Sequence, residues 1–378
     1  MRFLSVQKSK IKIIFFLSNL AGGGAQRTIV NLLRNINRDS FSICLTLLNL
    51  NNNDPFLPLV PKDVKIINLK SRARNSIFKI RKLIKTIKPD ILFSTLPQVN
   101  FAVWLGNKLA GNKAKLILRE TNYREKGINT SLLYHNIYRK IYNDAHHVIG
   151  LSDGVTQHMI KSYGLNPAKV TRIYNPIDIE YIVGKSSESC ELHFSKTFKM
   201  VSCGRLVKQK NYPLLVRALA ILKEKGYQDF ELFILGDGPQ KLQLEEMICK
   251  YNLKDNIRLI GYQNNPYPYM KMADLFILSS LWEGFGHVIV ESMVCGTPVL
   301  ATDCPHGPRE ILEDGKYGWL VNNNDHYAMA NKLEELILNP NKINDMANKL
   351  RNKINTFSVN EITKQYEDIF RILCRSET

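Results

Sequence analysis

Trp282-Glu283-Gly284-Phe285-Gly286-His287-Val288-Ile289-Val290-Glu291-Ser292-Met293-Val294-Cys295-Gly296-Thr297-Pro298 follows a strand-like run, Leu275-Phe276-Ile277-Leu278-Ser279-Ser280. It opens with two glycines in a loop, then enters an apolar helix that Gly296 and Pro298 stop. A glycine loop feeding a helix start presents free backbone N–H groups and the positive end of the helix dipole. Together these seat an anion such as phosphate. Two carboxylates bracket the seat, Glu283 in the loop and Glu291 on the helix. Carboxylate repels phosphate, so these two suit hydroxyls on either side of it. A nucleotide-sugar offers both, with a ribose on one side of a diphosphate and a hexose on the other. An ordinary strand–loop–helix unit with two surface glutamates is the plainer reading, and spacing alone leaves the two level.

Working outward, the same rhythm precedes the stretch. A strand over Phe198–Cys203 leads to Gly204-Arg205-Leu206-Val207-Lys208-Gln209-Lys210, and a helix is expected from Pro213. Arg205 and Lys210 flank a loop at a strand's carboxyl end, where open parallel sheets bind ligands. A guanidinium grips phosphate with two hydrogen bonds and an ammonium supplies a point charge. Such cations stabilise a leaving diphosphate as it gains charge. The plainer reading is two solvated surface cations. Gly236-Asp237 follows the strand Phe230–Leu235 in a turn to the next helix. Beyond the central stretch come a strand over Pro298–Thr302, a loop over Asp303–Glu310 able to cap a sugar pocket, and a short strand over Gly318–Val321. From Tyr327 onward the pattern predicts a terminal pair of helices.

The first half repeats the alternation. A strand at 11–17 meets a helix over 25–36 through Gly22-Gly23-Gly24, which is not a Gly-x-Gly-x-x-Gly fingerprint. Glycines there either let backbone approach a ligand or make a plain tight turn. Ser71 to Lys88 carries seven Lys and Arg and no acidic residue. Ile77, Ile80, Ile84 and Ile87 recur at helical spacing with Phe78 and Leu83 beside them, predicting an apolar stripe packed inward. Its basic back is either simply solvated or meets anionic lipid without inserting. The strand from Lys115 ends in Arg119-Glu120-Thr121-Asn122. Glu120 there is a candidate site residue or a salt-bridge partner of Arg119 or Arg124. His135, His146 and His147 lack ligand spacing and read as structural.

At 378 residues and 44% hydrophobic, the chain has room for two or three cored domains. No apolar run reaches the ~20 residues of a membrane span. The apolar start reads as a buried strand rather than a targeting peptide. Seven scattered cysteines without Cys-x-x-Cys argue for a reducing cytoplasm. The net charge of +18 is uneven: residues 1–185 hold 29 Lys+Arg against 10 Asp+Glu, and the remainder is nearly balanced. That asymmetry suggests an anionic surface partner, membrane or nucleic acid. No nucleic-acid motif is present, which disfavours the second.

The stretch Glu283 to Pro298, with Gly-Phe-Gly between its glutamates and Gly-Thr-Pro after its helix, resembles the signature of the retaining glycosyltransferase family 4. The Arg205-x4-Lys210 pair, the Gly236-Asp237 turn and the Asn175-Pro176-Ile177-Asp178 connector are similar to the same family's. The resemblance implies an α/β protein of GT-B fold, two Rossmann-like domains facing across a central cleft. It implies an acceptor-binding domain at 1–178, a donor-binding domain at 196–355, and a C-terminal helix at 356–378 crossing back to the first. Glu283, Arg205, Lys210 and Glu120 become the catalytic candidates. Gly23, Gly24, Gly236, Asp237, Phe285, Gly286, His287, Val288 and Glu291 join Arg205, Lys210 and Glu283 at the donor. The Arg119-Glu120-Thr121-Asn122 segment resembles the acceptor-side loop of bacterial polysaccharide and lipid-linked-oligosaccharide transferases, making Arg119, Glu120 and Asn122 acceptor-side candidates. Many relatives have a histidine in this region, and this chain does not.

The implied function is transfer of a sugar from a nucleotide-sugar, a UDP-sugar by family habit, to a lipid-linked saccharide. The place would be the inner face of the cytoplasmic membrane. No cofactor or metal is expected, because the chain lacks the Asp-x-Asp of the other main glycosyltransferase fold. The alternatives are a soluble acceptor, a nucleotide-sugar epimerase, and a non-catalytic nucleotide-sugar or nucleic-acid binding protein.

Overall fold

β1 (Ile11–Leu17) is the centre of the first sheet, and its sequence explains why: five consecutive residues, Ile13 to Leu17, are buried. A strand apolar on both faces needs cover on both, as parallel sheets provide. The computed structural model describes residues 9–121, 132–190 and 193–375. Within them the chain forms two compact units, Met1–Pro176 with Val359–Thr378, and Ile177–Ser358.

In the first unit, β2 (Phe41–Leu47), β3 (Lys65–Asn68), β4 (Ile91–Thr95), β5 (Lys115–Glu120), β6 (His147–Gly150) and β7 (Val170–Arg172) join β1 in the order 3-2-1-4-5-6-7. Every pair is parallel. In the second unit, β8 (Phe198–Cys203), β9 (Phe230–Leu235), β10 (Ile257–Gly261), β11 (Leu275–Leu278), β12 (Val299–Asp303) and β13 (Trp319–Asn322) follow the order 10-9-8-11-12-13, again all parallel. Helices connect most successive strands, with only a short 3-10 turn at Leu57–Leu59 between β2 and β3, and both units are Rossmann-like. Each order reverses at one point, between β1 and β4 and between β8 and β11. Such a reversal, at the carboxyl ends of the two strands, is where open parallel sheets bind ligands.

Most expected elements are present, and three differences bear on the argument. The chain ends in three helices rather than a pair: His326–Leu338, Pro340–Ile354 and Val359–Arg375. The first two abut because Asn339 leaves helical geometry and Pro340, lacking an N–H, restarts the helix. A further helix, Ile179–Ser186, follows the connector and is capped by Asp178, whose carboxylate accepts from the Tyr181 N–H at 3.1 Å. Phe78, expected beside an inward stripe, is 72% exposed. On the Ala73–Ile87 helix only Ser76, Ile80 and Ile84 are buried, and Phe78 lies on the opposite face.

The Val359–Arg375 helix packs in the first unit. Phe370 meets Phe15, Phe41 and Phe93 edge-on at 5.9–6.2 Å between ring centroids. The Asn37 N–H donates to Glu367 at 2.8 Å. Emptying this cluster by Phe370→Ala is expected to cost about 3–5 kcal/mol, read as an earlier urea transition. A loss under about 1 kcal/mol would show the helix is peripheral to the core.

Candidate functional site

The reversal between β8 and β11 carries most of the donor candidates. β8 runs out into Gly204–Lys210 and β11 into Ser279–Gly286, and the two loops are tied together. The Ser279 hydroxyl donates to the Lys210 carbonyl at 2.7 Å. The Leu281 N–H donates to the Gln209 carbonyl at 2.8 Å, and Gln209 Nε2 to the Trp282 carbonyl at 2.9 Å.

This scaffold brings Lys210 onto Glu283. Lys210 Nζ donates to Glu283 Oε1 at 2.7 Å, and the Ser280 hydroxyl donates to the same oxygen at 2.6 Å. Both charged side chains are largely enclosed, at 16% and 9% exposure. Glu283 Oε2 keeps its lone pairs for a ligand hydroxyl, and an ammonium with three donors retains capacity for an anion. The pair also acts on Cys304: burial first, then the Glu283 charge, push its thiol up to about 12. That thiol stays protonated and is no nucleophile at neutral pH.

Beyond Glu283 the backbone turns at Gly286, whose φ of 93° suits glycine, and His287–Val294 begins. No acidic residue lies in the helix's first turn, so its positive end is uncompensated. His287 and Val288 stand at that start, half-buried. Phe285 is 2% exposed, and its ring packs edge-on against His287 and against Phe357, each at 5.7 Å between centroids. Glu291, one turn into the helix, is 2% exposed. The expected capping loop closes over this turn from β12. The Pro305 carbonyl accepts from the Glu283 N–H at 3.3 Å, and a Cβ on Gly307 would lie 2.2 Å from the Phe285 carbonyl oxygen.

Arg205 is exposed at the end of β8 and forms no ion pair among the described residues. Gly236 and Asp237 sit beside it at the end of β9. The Leu206 N–H donates to the Asp237 carbonyl at 2.9 Å, and Gly236 packs against the Gly204 carbonyl. Arg205, Lys210, Gly236, Asp237, Glu283, Phe285, Gly286, His287, Val288 and Glu291 therefore all belong to loops and helix starts of one unit.

The remaining candidates belong to the other unit. Gly23 and Gly24 are exposed at the start of Gly24–Asn35, after β1. Arg119 and Glu120 end β5 but diverge, as successive strand residues point to opposite faces. That is why no ion pair joins them. Arg119 is fully buried: it hydrogen-bonds Thr28, Thr95, Asn175 and Tyr366, all neutral. It braces the sheet rather than reaching a surface ligand. The Thr28 hydroxyl in turn donates to the Gly24 carbonyl at 2.9 Å, so Arg119 steadies the glycine turn from below. Glu120, 8% exposed, accepts from the Tyr142 hydroxyl, and from the Thr121 N–H at 2.9 Å. Burial, then the Glu120 charge, push the Tyr142 phenol well above its ordinary range. Asn122 and Arg124 lie outside the described residues.

Sequence reasoning missed Ser280, Tyr142 and Thr28. Each is an ordinary polar or aromatic residue without motif spacing, and Tyr142 stands 22 positions from Glu120. Of the histidines without ligand spacing, His146 Nδ1 accepts from the Leu116 N–H at 3.1 Å, and His147 contacts Thr171 at 3.0 Å. Among the described residues, no group of three or more His, Cys, Asp or Glu is placed to hold a metal ion.

Comparison with known proteins gives matches to both halves. The family described as Glycosyltransferase Family 4 matches residues 22–181, and Glycosyl transferases group 1 matches 188–353. A Campylobacter jejuni protein named N-acetylgalactosamine-N,N'-diacetylbacillosaminyl-diphospho-undecaprenol 4-alpha-N-acetylgalactosaminyltransferase is 29% identical over 369 residues, 93% of this chain and 97% of its own. The amylovoran biosynthesis glycosyltransferase AmsD of Erwinia amylovora is 26% identical, over 86% of this chain and 90% of its own. Among solved structures, Anabaena HepE in complex with UDP superposes with a TM-score of 0.80 at 20% identity, covering 96% of this chain and 100% of that one. A glycosyltransferase from Rickettsia africae gives the same TM-score and identity over 97% and 99%. These two likenesses bear on the fold, which is GT-B.

Proposed function

We propose, for a chain that belongs to the glycosyltransferases of family 4 and group 1, that it moves one sugar from a nucleotide-sugar to a lipid-linked saccharide in bacterial glycan assembly. The observation that carries the donor half is the Lys210–Glu283–Ser280 cluster beside the His287–Val294 helix start. It combines a hydroxyl acceptor with an anion seat, as a sugar diphosphate requires. Glu283 would hold the donor sugar and Glu291 the ribose. Arg205, Lys210 and the helix N–H groups would take the charge growing on the diphosphate. These groups support a metal-independent reaction. A UDP-sugar is the donor favoured by resemblance.

The acceptor half rests on two supports. The Campylobacter relative's name specifies a diphospho-undecaprenol saccharide. The excess positive charge of residues 1–185 suits an anionic membrane surface, peripheral on its cytoplasmic side. No helix among the described residues is long and apolar enough to cross a membrane. Glu120 is the described residue of the first unit proposed to face the acceptor.

The proposed stereochemistry is retention by front-face displacement. The bond from the anomeric carbon to the phosphate oxygen breaks, and the acceptor oxygen bonds to the same face. The acceptor proton passes to the departing phosphate oxygen, so no protein nucleophile is required. The test is a nucleotide-sugar panel with bacterial membrane extract, followed by NMR of the product. One donor is expected to turn over and give the donor's own anomer. An inverted anomer would overturn the mechanism. Turnover on soluble glycans in place of extract would favour a soluble acceptor.

A further inference from the structure

The Ala73–Ile87 helix has a face that packing does not explain. Ile80 and Ile84 are buried, and Ile80 packs against Gly106 of the neighbouring Pro97–Leu109 helix. On the opposite face Arg74, Phe78, Lys82 and Lys85 recur at spacings of three and four, and all four are exposed. Phe78 is 72% exposed, so its ring stands among the three cations. Arg74, Lys82 and Lys85 form no ion pair among the described residues, and no acidic side chain lies between Ser71 and Lys88. Arg81, beside this face, donates through Nε to the Leu109 carbonyl at 3.1 Å and fastens the helix to its neighbour. Leu109 itself is 43% exposed. The result is an exposed face, cationic at its sides and apolar at its centre.

We propose that this face docks the enzyme on an anionic bilayer, with Phe78 in the headgroup–acyl boundary and Arg74, Lys82 and Lys85 on lipid phosphates. The proposal rests on the reading of a lipid-linked acceptor and deepens it by naming the surface that meets the lipid. Charge complementarity selects an anion, and the apolar centre selects a bilayer. A lone cationic helix binds any polyanion, but a phenylalanine at its middle gains from hydrocarbon that a bilayer offers and a base-stacked duplex does not. The attachment lies in the membrane plane.

The test is flotation of the full chain with vesicles of phosphatidylglycerol and phosphatidylcholine, or of phosphatidylcholine alone. Phe78→Ser removes an exposed ring, and Lys82→Gln with Lys85→Gln removes two charges. Neither touches the proposed catalytic groups, and melting curves check the fold. Wild type is expected to float with anionic vesicles only. Phe78→Ser should lower that binding about fivefold, and the double change about thirtyfold. Transfer to an acceptor dissolved in detergent should be unchanged in both. Variants that float like wild type would overturn the proposal, as would a wild type that ignores vesicles. Tighter binding to duplex oligonucleotides, lost in the same variants, would overturn it in favour of nucleic acid. Transfer to the detergent-dissolved lipid acceptor reports separately on the function, since it needs no bilayer.

Discussion

Glu283→Gln is expected to reduce transfer by at least about 10²–10³-fold in kcat while leaving the fold intact. Glutamine matches glutamate in shape, so the loop tied by the Glu283 N–H to the Pro305 carbonyl at 3.3 Å keeps its path. What changes is the charge. Oε1 accepts from Lys210 at 2.7 Å and Ser280 at 2.6 Å, an arrangement built around a carboxylate. An amide is a weaker acceptor and can present an N–H donor in its place. The ammonium then loses its counter-charge, and the donor sugar loses an anionic acceptor beside its reacting carbon. Steady-state kinetics with the turning-over donor checks this, with a melting curve as control. Near-normal turnover would remove Glu283 from the chemistry.

Lys210→Ala is the second large effect, again about 10²–10³-fold in kcat. Two losses coincide. The diphosphate loses a cation as its charge grows, and Glu283 is left enclosed at 9% exposure with only the Ser280 hydroxyl on Oε1. Arginine is expected to rescue poorly. A Cβ on Gly204 would lie 2.9 Å from Lys210 Cε, so the lysine stem already fills its channel. Because the two residues form one unit, the double variant Lys210→Ala with Glu283→Gln should lose little more than the worse single one. Fully multiplicative losses would show that they act independently.

Much of this site was legible because its signals are local. A buried strand, a glycine turn and a helix start are contiguous from Leu275 to Val294, and the reversal between β8 and β11 brings Lys210 to Glu283. What was illegible depends on distant partners or on which face a residue takes. Arg119 is polar at a strand's carboxyl end, which suggests a ligand contact. Its direction is set instead by Tyr366, 247 positions away, whose hydroxyl it meets at 3.2 Å. Phe78 is adjacent in sequence to the apolar stripe, but its helical phase puts it with Arg74, Lys82 and Lys85. Three terminal helices look like two in the sequence because Asn339-Pro340 ends one and starts the next without a loop.

The central claim is that this cluster serves transfer of a sugar to a lipid-linked saccharide. The most direct measurement is mass spectrometry of the lipid fraction after incubation with the turning-over nucleotide-sugar, with excess EDTA present. The account predicts a lipid-linked saccharide heavier by one sugar residue, formed by wild type and not by Glu283→Gln. A donor consumed without any lipid species gaining mass would contradict it.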